Sequence, residues 1–210
     1  MKGKKVLKIV LIVALVLIAL FLANTIRKVI ILKDLKDKIS KYEFSNFHLS
    51  INSEYDYDGH KSKLDYYKKD NKELSIMELE INGSKSKVSW YNNGERIDTF
   101  YEGADFKNVE IDSENMTRIY PFSIFEGTLG GDNDLFIKSI SLKINSTKIN
   151  DKDCYLMRLG EEKYYFEKDT GLVIYVEAQN AKSNRIYEFN TITDEIFTEP
   201  DISQYTLIKK

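Results

Sequence analysis

The sequence predicts an α+β protein, with an N-terminal transmembrane helix followed by one antiparallel β-sheet domain. Three observations carry this reading. Ile9 to Ile26 is an 18-residue run without a charge. As a helix rising ~1.5 Å per residue it spans about 27 Å, close to the hydrocarbon core of a bilayer. From Phe44 onward the apolar period becomes two, the period of a strand. Asn82-Gly83 and Asn93-Gly94, strong hairpin-turn dipeptides, punctuate that alternation.

Leu, Ile, Val and Ala fill the apolar run, and only Asn24 and Thr25, at its far end, are clearly polar. A cleavable signal peptide has a shorter core and a small-x-small exit. Here Phe21 stands where a small residue is needed for cleavage after Ala23. The run is therefore read as an uncleaved anchor, in preference to late cleavage or to the buried helix of a soluble protein. Lys2, Lys4, Lys5 and Lys8 favour a cytoplasmic tail, although Arg27, Lys28 and Lys33 beyond the run blunt that bias. The expected organisation is a basic tail over residues 1–8, an anchor over 9–26, an amphipathic helix or stalk over 27–41, and an extracytoplasmic domain over 42–210. This describes a single-pass protein of the cell membrane with its C-terminal domain outside the cytoplasm.

Charge is divided between these parts. The first 33 residues hold seven Lys or Arg and no acid, whereas the other 177 hold 24 basic and 33 acidic residues, a balance of −9. An acidic domain argues against a nucleic-acid partner, which requires a basic footprint. Cys154 is the only cysteine, so an internal disulfide is impossible.

Beyond the anchor, Val29, Leu32, Leu35 and Ile39 recur at spacings of three and four, with lysines and aspartates on the other faces. That pattern suits a plain stalk or a helix laid over a sheet. Phe47, Leu49 and Ile51 open the strands, followed by Leu64 and Tyr66. Leu74 and Ile76 then give way to Leu79 and Ile81, with a phase change at Met77-Glu78 that reads as a β-bulge. Val88, Trp90, Asn93-Gly94, Ile97 and Phe100 make the clearest hairpin, and Val109 and Ile111 suggest another short strand. From Asp112 to Asp134 the alternation fails, and Pro121 to Phe125 reads as a short helix ended by Gly127, Gly130 and Gly131. Ile140, Leu142 and Ile144 read as a strand, as do Cys154 to Leu159, Tyr164 to Phe166, Leu172 to Val176, and Ile186 to Thr191. Tyr205, Leu207 and Ile208 suggest a last edge strand.

Catalytic signals are weak, and no enzyme is expected. His48 and His60 have no ligand-spaced neighbours, and His48 alternates with Phe47 and Leu49 as an exposed strand residue does. Cys154 sits in an alternating strand with no histidine near it. The Gly127 to Gly131 stretch lacks the lysine and serine of a phosphate loop, and the acidic loop after it lacks EF-hand spacing. No metal or cofactor is expected.

The segment Tyr165-Phe166-Glu167-Lys168-Asp169-Thr170-Gly171-Leu172 resembles the acidic-turn, Gly-Leu hairpin of the periplasmic lipoprotein-carrier superfamily. That superfamily includes lipoprotein-sorting-like proteins and the amino-terminal domain of an anti-sigma-factor regulator. The resemblance runs from Leu32 to Ile192. It implies a strongly curved antiparallel half-barrel with helices packed on its concave side and a cavity for acyl chains. On that reading Trp90, Phe100, Phe122, Phe125, Leu172 and Ile174 are the candidate ligand-binding residues. The domain would then bind a lipid, an acyl chain or a lipoprotein. The alternative is an envelope protein–protein interaction or regulatory domain with a filled core. The chain departs from the carriers in keeping a transmembrane segment. Gly171 is expected at positive φ in the turn.

Overall fold

No glycine or proline interrupts the chain between Val6 and Ile39, so nothing breaks or kinks the first helix. In the computed structural model of the protein, which describes residues 2–56, 60–113, 116 and 135–209, α1 runs unbroken over Lys2–Ile39. It is long and apolar enough to cross a membrane, and its apolar window is exposed throughout. Thr25 satisfies its hydroxyl within the helix by donating to the Phe21 carbonyl at 3.0 Å. The environment changes at residue 31. Ile31, Leu32, Leu35 and Ile39 are buried while Lys33 and Lys36 face solvent. One helix thus supplies an exposed apolar rod and then a core stripe. An exposed apolar N-terminal helix joined to one polar sheet domain is the organisation of a single-pass membrane protein.

The sheet contains β1 (Asn46–Tyr55), β2 (Lys61–Lys69), β3 (Lys72–Ile81), β4 (Ser84–Asn92), β5 (Ile97–Glu102), β6 (Lys107–Glu110), β7 (Lys143–Ile149), β8 (Lys152–Leu159), β9 (Glu162–Glu167), β10 (Val173–Ala178), β11 (Ala181–Phe189) and β12 (Thr206–Lys209). The strands lie in the order β12-β6-β5-β4-β3-β2-β1-β11-β10-β9-β8-β7. All pairs are antiparallel except β12 with β6. Two meanders are therefore joined by the pairing of β1 with β11, where Phe47 faces Phe189 and Tyr55 faces Ala181. A short helix, α2 (Leu135–Ser141), precedes β7 and packs on α1.

Turn chemistry follows the sequence. Asn82 and Gly83 both have positive φ, 51° and 81°, as a two-residue hairpin turn requires. Gly171 has φ 77°. Only glycine tolerates its surroundings, because a Cβ there would lie 2.8 Å from the Leu35 carbonyl oxygen of α1. Lys38 holds the same contact by donating to the Lys168 carbonyl at 2.6 Å. Helix and hairpin thus touch backbone to backbone.

One face of the sheet carries the core. Beneath the stripe of α1 lie Met157, Phe166, Leu172, Val173 and Val176, together with Leu135, Leu142 and Ile144. Phe47, Leu49 and Tyr66 extend the core toward β1 and β2, flanked by Met116. The other face is mostly polar and is partly covered by the C-terminal segment, where Tyr205 packs edge-on against Phe100 at 5.0 Å.

Three expectations are corrected. The sheet is not a strongly curved half-barrel. It is one open sheet, with β7 and β12 as its end strands. Sharp strand bending comes from bulges, and registers run without a shift from β1 through β6 and from β7 through β9. Shifts occur at Val173/Tyr175 and Leu207/Lys209. Met77-Glu78 forms no bulge either, since Met77 pairs with Leu64 and Val88 in continuous register. Finally, Ile140 belongs to α2, and the strand begins only at Lys143. The helix expected over residues 121–125 lies outside the described residues.

Candidate functional site

The register of β4 with β5 separates two of the proposed ligand residues. Ser89 faces Phe100 and Trp90 faces Thr99, so Trp90 and Phe100 project from opposite sides of the sheet. Trp90 is half-buried on the core side. Phe100 is buried on the other side, edge-on to Tyr91 at 5.3 Å and to Tyr205. Leu172 is buried beneath α1, and Ile174 is half-buried at the register shift of β10. Five strand spacings separate β4 from β10, about 24 Å at ~4.8 Å each. Phe122 and Phe125 lie outside the described residues. The described four are thus distributed over the sheet and do not line one pocket. Under α1 the protein's own side chains fill the core, with Leu32, Leu35 and Phe166 fully inaccessible.

The polar face has an organisation of its own. Lys163 faces Glu177, which faces Lys182, and the row continues through Glu54, Lys61 and Glu80 to Lys85. Seven adjacent strands contribute one residue each, and the charges alternate at every step. Two residues along, a second row runs from Lys63 through Glu78, Lys87 and Glu102 to Lys107. Some pairs close into direct contact, Lys163–Glu177 at 2.5 Å and Lys87–Glu102 at 3.5 Å. Lys163 and then the Tyr165 hydroxyl hold the Glu177 carboxyl below its usual range. Directly opposed unlike charges each stabilise a sheet by about 0.2–1 kcal/mol, and like charges destabilise it. Lys61→Glu, which sets a third carboxylate between Glu54 and Glu80, is therefore expected to cost about 1 kcal/mol at low salt. The loss should shrink in ~1 M salt, where the screening length is about 3 Å. Urea denaturation at both salt concentrations reads this, and a salt-independent midpoint equal to the unsubstituted protein's would refute the ladder's contribution.

These rows are visible in the sequence as Lys61-Ser62-Lys63, Glu78-Leu79-Glu80 and Lys85-Ser86-Lys87 in successive strands. Reading only the apolar residues missed them. Where they meet the ends of β1 to β5 lies a hollow of about 930 Å³, lined by charges of both signs and by small residues such as Ser53, Ser62, Ser86 and Gly103.

Lys63 links the second row to a buried cluster, reaching Asp65 at 2.8 Å. His48 Nε2 lies 2.9 Å from Asp65, and Nδ1 lies 3.2 Å from Glu188. The imidazole stacks on Tyr67 with centroids 4.2 Å apart. His48 is thus largely covered, contrary to the exposed position expected for it. Burial works against a charged imidazole, but the bonds to Asp65 and Glu188 outweigh it and raise the His48 pKa. Burial likewise works against the Asp65 carboxylate, and the bonds from His48, Lys63 and Ser50 outweigh it, lowering the pKa to about 2. Both ring nitrogens engage carboxylates, so this is an ion-pair cluster and not a nucleophile–base pair. Cys154 is buried, and that burial pushes its thiol up, away from the reactive thiolate. Among the described residues no group of histidines, cysteines and carboxylates is arranged to hold a metal ion.

No protein-family model matches the sequence, and no curated protein matches it. Solved structures give low-identity likenesses. An uncharacterized conserved protein from Thermus thermophilus is 6% identical with a TM-score of 0.45, over 85% of this chain and 98% of that one. A DUF1329 family protein from Desulfovibrio piger is 13% identical with a TM-score of 0.35, over 82% and 98%. A chain of the Pseudomonas aeruginosa MucA/MucB complex is 8% identical with a TM-score of 0.35, over 80% of this chain and 61% of that one.

Proposed function

We propose that the protein is a membrane-anchored extracytoplasmic domain that binds another polypeptide of the cell envelope. Residues 9–26 cross the membrane, residues 1–8 stay on the cytoplasmic side, and the acidic sheet domain stands outside. The observation that carries this reading is the lining of the hollow. Ser53, Ser62 and Ser86, which share the face of the sheet opposite the charge rows, offer hydrogen bonds to a peptide backbone, and lysines and glutamates at alternate positions of the same strands add charges of both signs to the lining. The apolar face under α1, where an acyl chain would be buried, is occupied by the protein's own residues.

The test places a photoreactive amino acid at Ser86, in the hollow, or at Ser146, on the exposed edge of β7, in the full-length protein in its native membranes. Position 86 is expected to give a discrete polypeptide adduct that disappears when Ser62→Trp fills the hollow, and position 146 is expected to give none. Mass spectrometry of the adduct decides between ligand classes. A lipid adduct at 86, or the same adduct from both positions, would overturn the proposal.

A further inference from the structure

Helix α2 presents apolar residues to both the core and the outside. Leu135 is buried in the core beneath α1, and Ser139 is fully covered. On the outward side Phe136, Ile137 and Ile140 are 45%, 68% and 43% exposed. Contiguous exposed apolar side chains mark an interaction surface, so the outward face of α2, formed by Phe136, Ile137 and Ile140, calls for a cover. The position of α2 along α1 says what the cover is. Lys28 Nζ donates to the carbonyls of Ser139 at 3.0 Å and Ile140 at 3.4 Å, which ties the C-terminal end of α2 to α1. Lys28 comes two residues after the apolar run, about 3 Å along the helix axis. The polar layer of a bilayer extends ~5–8 Å beyond the hydrocarbon on each side. Ile26 and Ile30 of α1 are also exposed at this level. The exposed apolar surface of the anchor therefore continues onto α2 at the height where α1 leaves the membrane.

We infer that α2 lies in the bilayer surface, with Phe136, Ile137 and Ile140 inserted among the lipids at the headgroup boundary, so that the sheet domain is seated on the membrane. This rests on the anchor reading above. Interfacial helices bury an apolar face in this zone while cationic groups attract the anionic lipids around them. Arg27, exposed beside the Lys28–α2 contact, supplies such a charge.

Depth-dependent quenching tests this on the full-length protein in vesicles of phosphatidylcholine containing some phosphatidylglycerol. With the buried Cys154 replaced by serine, single cysteines at Leu17, Ile137 and Asn82 carry an environment-sensitive fluorophore. Asn82 is exposed in the β3–β4 turn and serves as the control. The Ile137 probe is expected to lose most of its emission to lipids with a nitroxide near the headgroup, while the Asn82 probe keeps its own. The Leu17 probe reports the anchor through lipids with a nitroxide deep in the chain. Quenching at Leu17 with Ile137 no more quenched than Asn82 would overturn the seating and leave the anchor intact. No quenching at Leu17 would remove both. Protection of Ile137 from aqueous iodide without quenching by any lipid nitroxide would show a protein cover and would also overturn it.

Discussion

Gly171→Val is expected to lower the unfolding free energy by about 3 kcal/mol or more. Two costs combine. A left-handed residue with a side chain costs about 1–2 kcal/mol, and a branched one is worse placed still. The new Cβ would also stand 2.8 Å from the Leu35 carbonyl oxygen and 3.1 Å from Ile39 Cγ1 and Lys38 Cβ. Two of those atoms belong to backbone or stem, so α1 has to move off the hairpin, and forced overpacking costs about 1–3 kcal/mol. Gly160 provides the comparison, with φ 62° and open space for 4 Å around the place a Cβ would take. Gly160→Val should show only the conformational cost. Guanidinium denaturation of both variants in detergent micelles, followed by Trp90 fluorescence, measures the difference. Equal losses at the two positions would mean that α1 does not press on the hairpin.

Arg96→Ala is expected to cost about 3 kcal/mol through the carboxylate it leaves behind. Asp98 is completely buried. Its Oδ1 accepts the Asp112 N–H at 3.0 Å, and Arg96 reaches Oδ2 at 2.7 Å. That second contact is one of charge and proximity, since Oδ2 has no aligned hydrogen-bond donor. Removing one partner of a buried pair costs about 3–5 kcal/mol, and the partial exposure of Arg96 favours the low end. Glu199 enlarges the effect. Burial and then the charge of Asp98 raise its pKa, against the opposing pull of Arg96. A carboxyl with a raised folded-state pKa binds protons more tightly when folded, so its burden on stability is present at neutral pH and relieved as pH falls through that pKa. The deficit of Arg96→Ala should accordingly narrow in acid. Adding Asp98→Asn should recover part of the loss. A single variant within about 0.5 kcal/mol of the unsubstituted protein, the range of ordinary surface changes, would mean that water already solvates Asp98.

The legible parts of this fold are local. Leu32, Leu35 and Ile39 mark the core stripe because helix spacing depends on near neighbours only, and Asn82-Gly83 and Gly171 declare their backbone conformation through residue type. Ile140, Leu142 and Ile144 misled because a short apolar run fits a strand and a helix end equally. The curvature of the sheet was not legible, since it depends on where eleven registers slip and no single strand records that. Trp90 and Phe100 looked like neighbours on one wall, whereas the pairing across residues 93–96 puts them on opposite faces. His48 and Asp65 lie 17 positions apart, and only the β1–β2 register brings them together. The charge rows were half legible, in alternating lysines and glutamates whose strand order had still to be known.

The core stripe on α1 and the strands that cover it are far apart in the chain. Leu32 must await Phe166, and β1 must await β11. Chains are synthesised at about 5–20 residues per second, so on the order of ten seconds separates the emergence of the stripe from that of its cover. Throughout that interval Ile31, Leu32, Leu35 and Ile39 form an uncovered apolar strip beside the anchor. The nearest apolar surface is the exposed run of the same helix before residue 27. Until the sheet forms, the uncovered apolar surface of α1 therefore extends to Ile39, and folding of the domain shortens it by placing β8 to β10 over its C-terminal end.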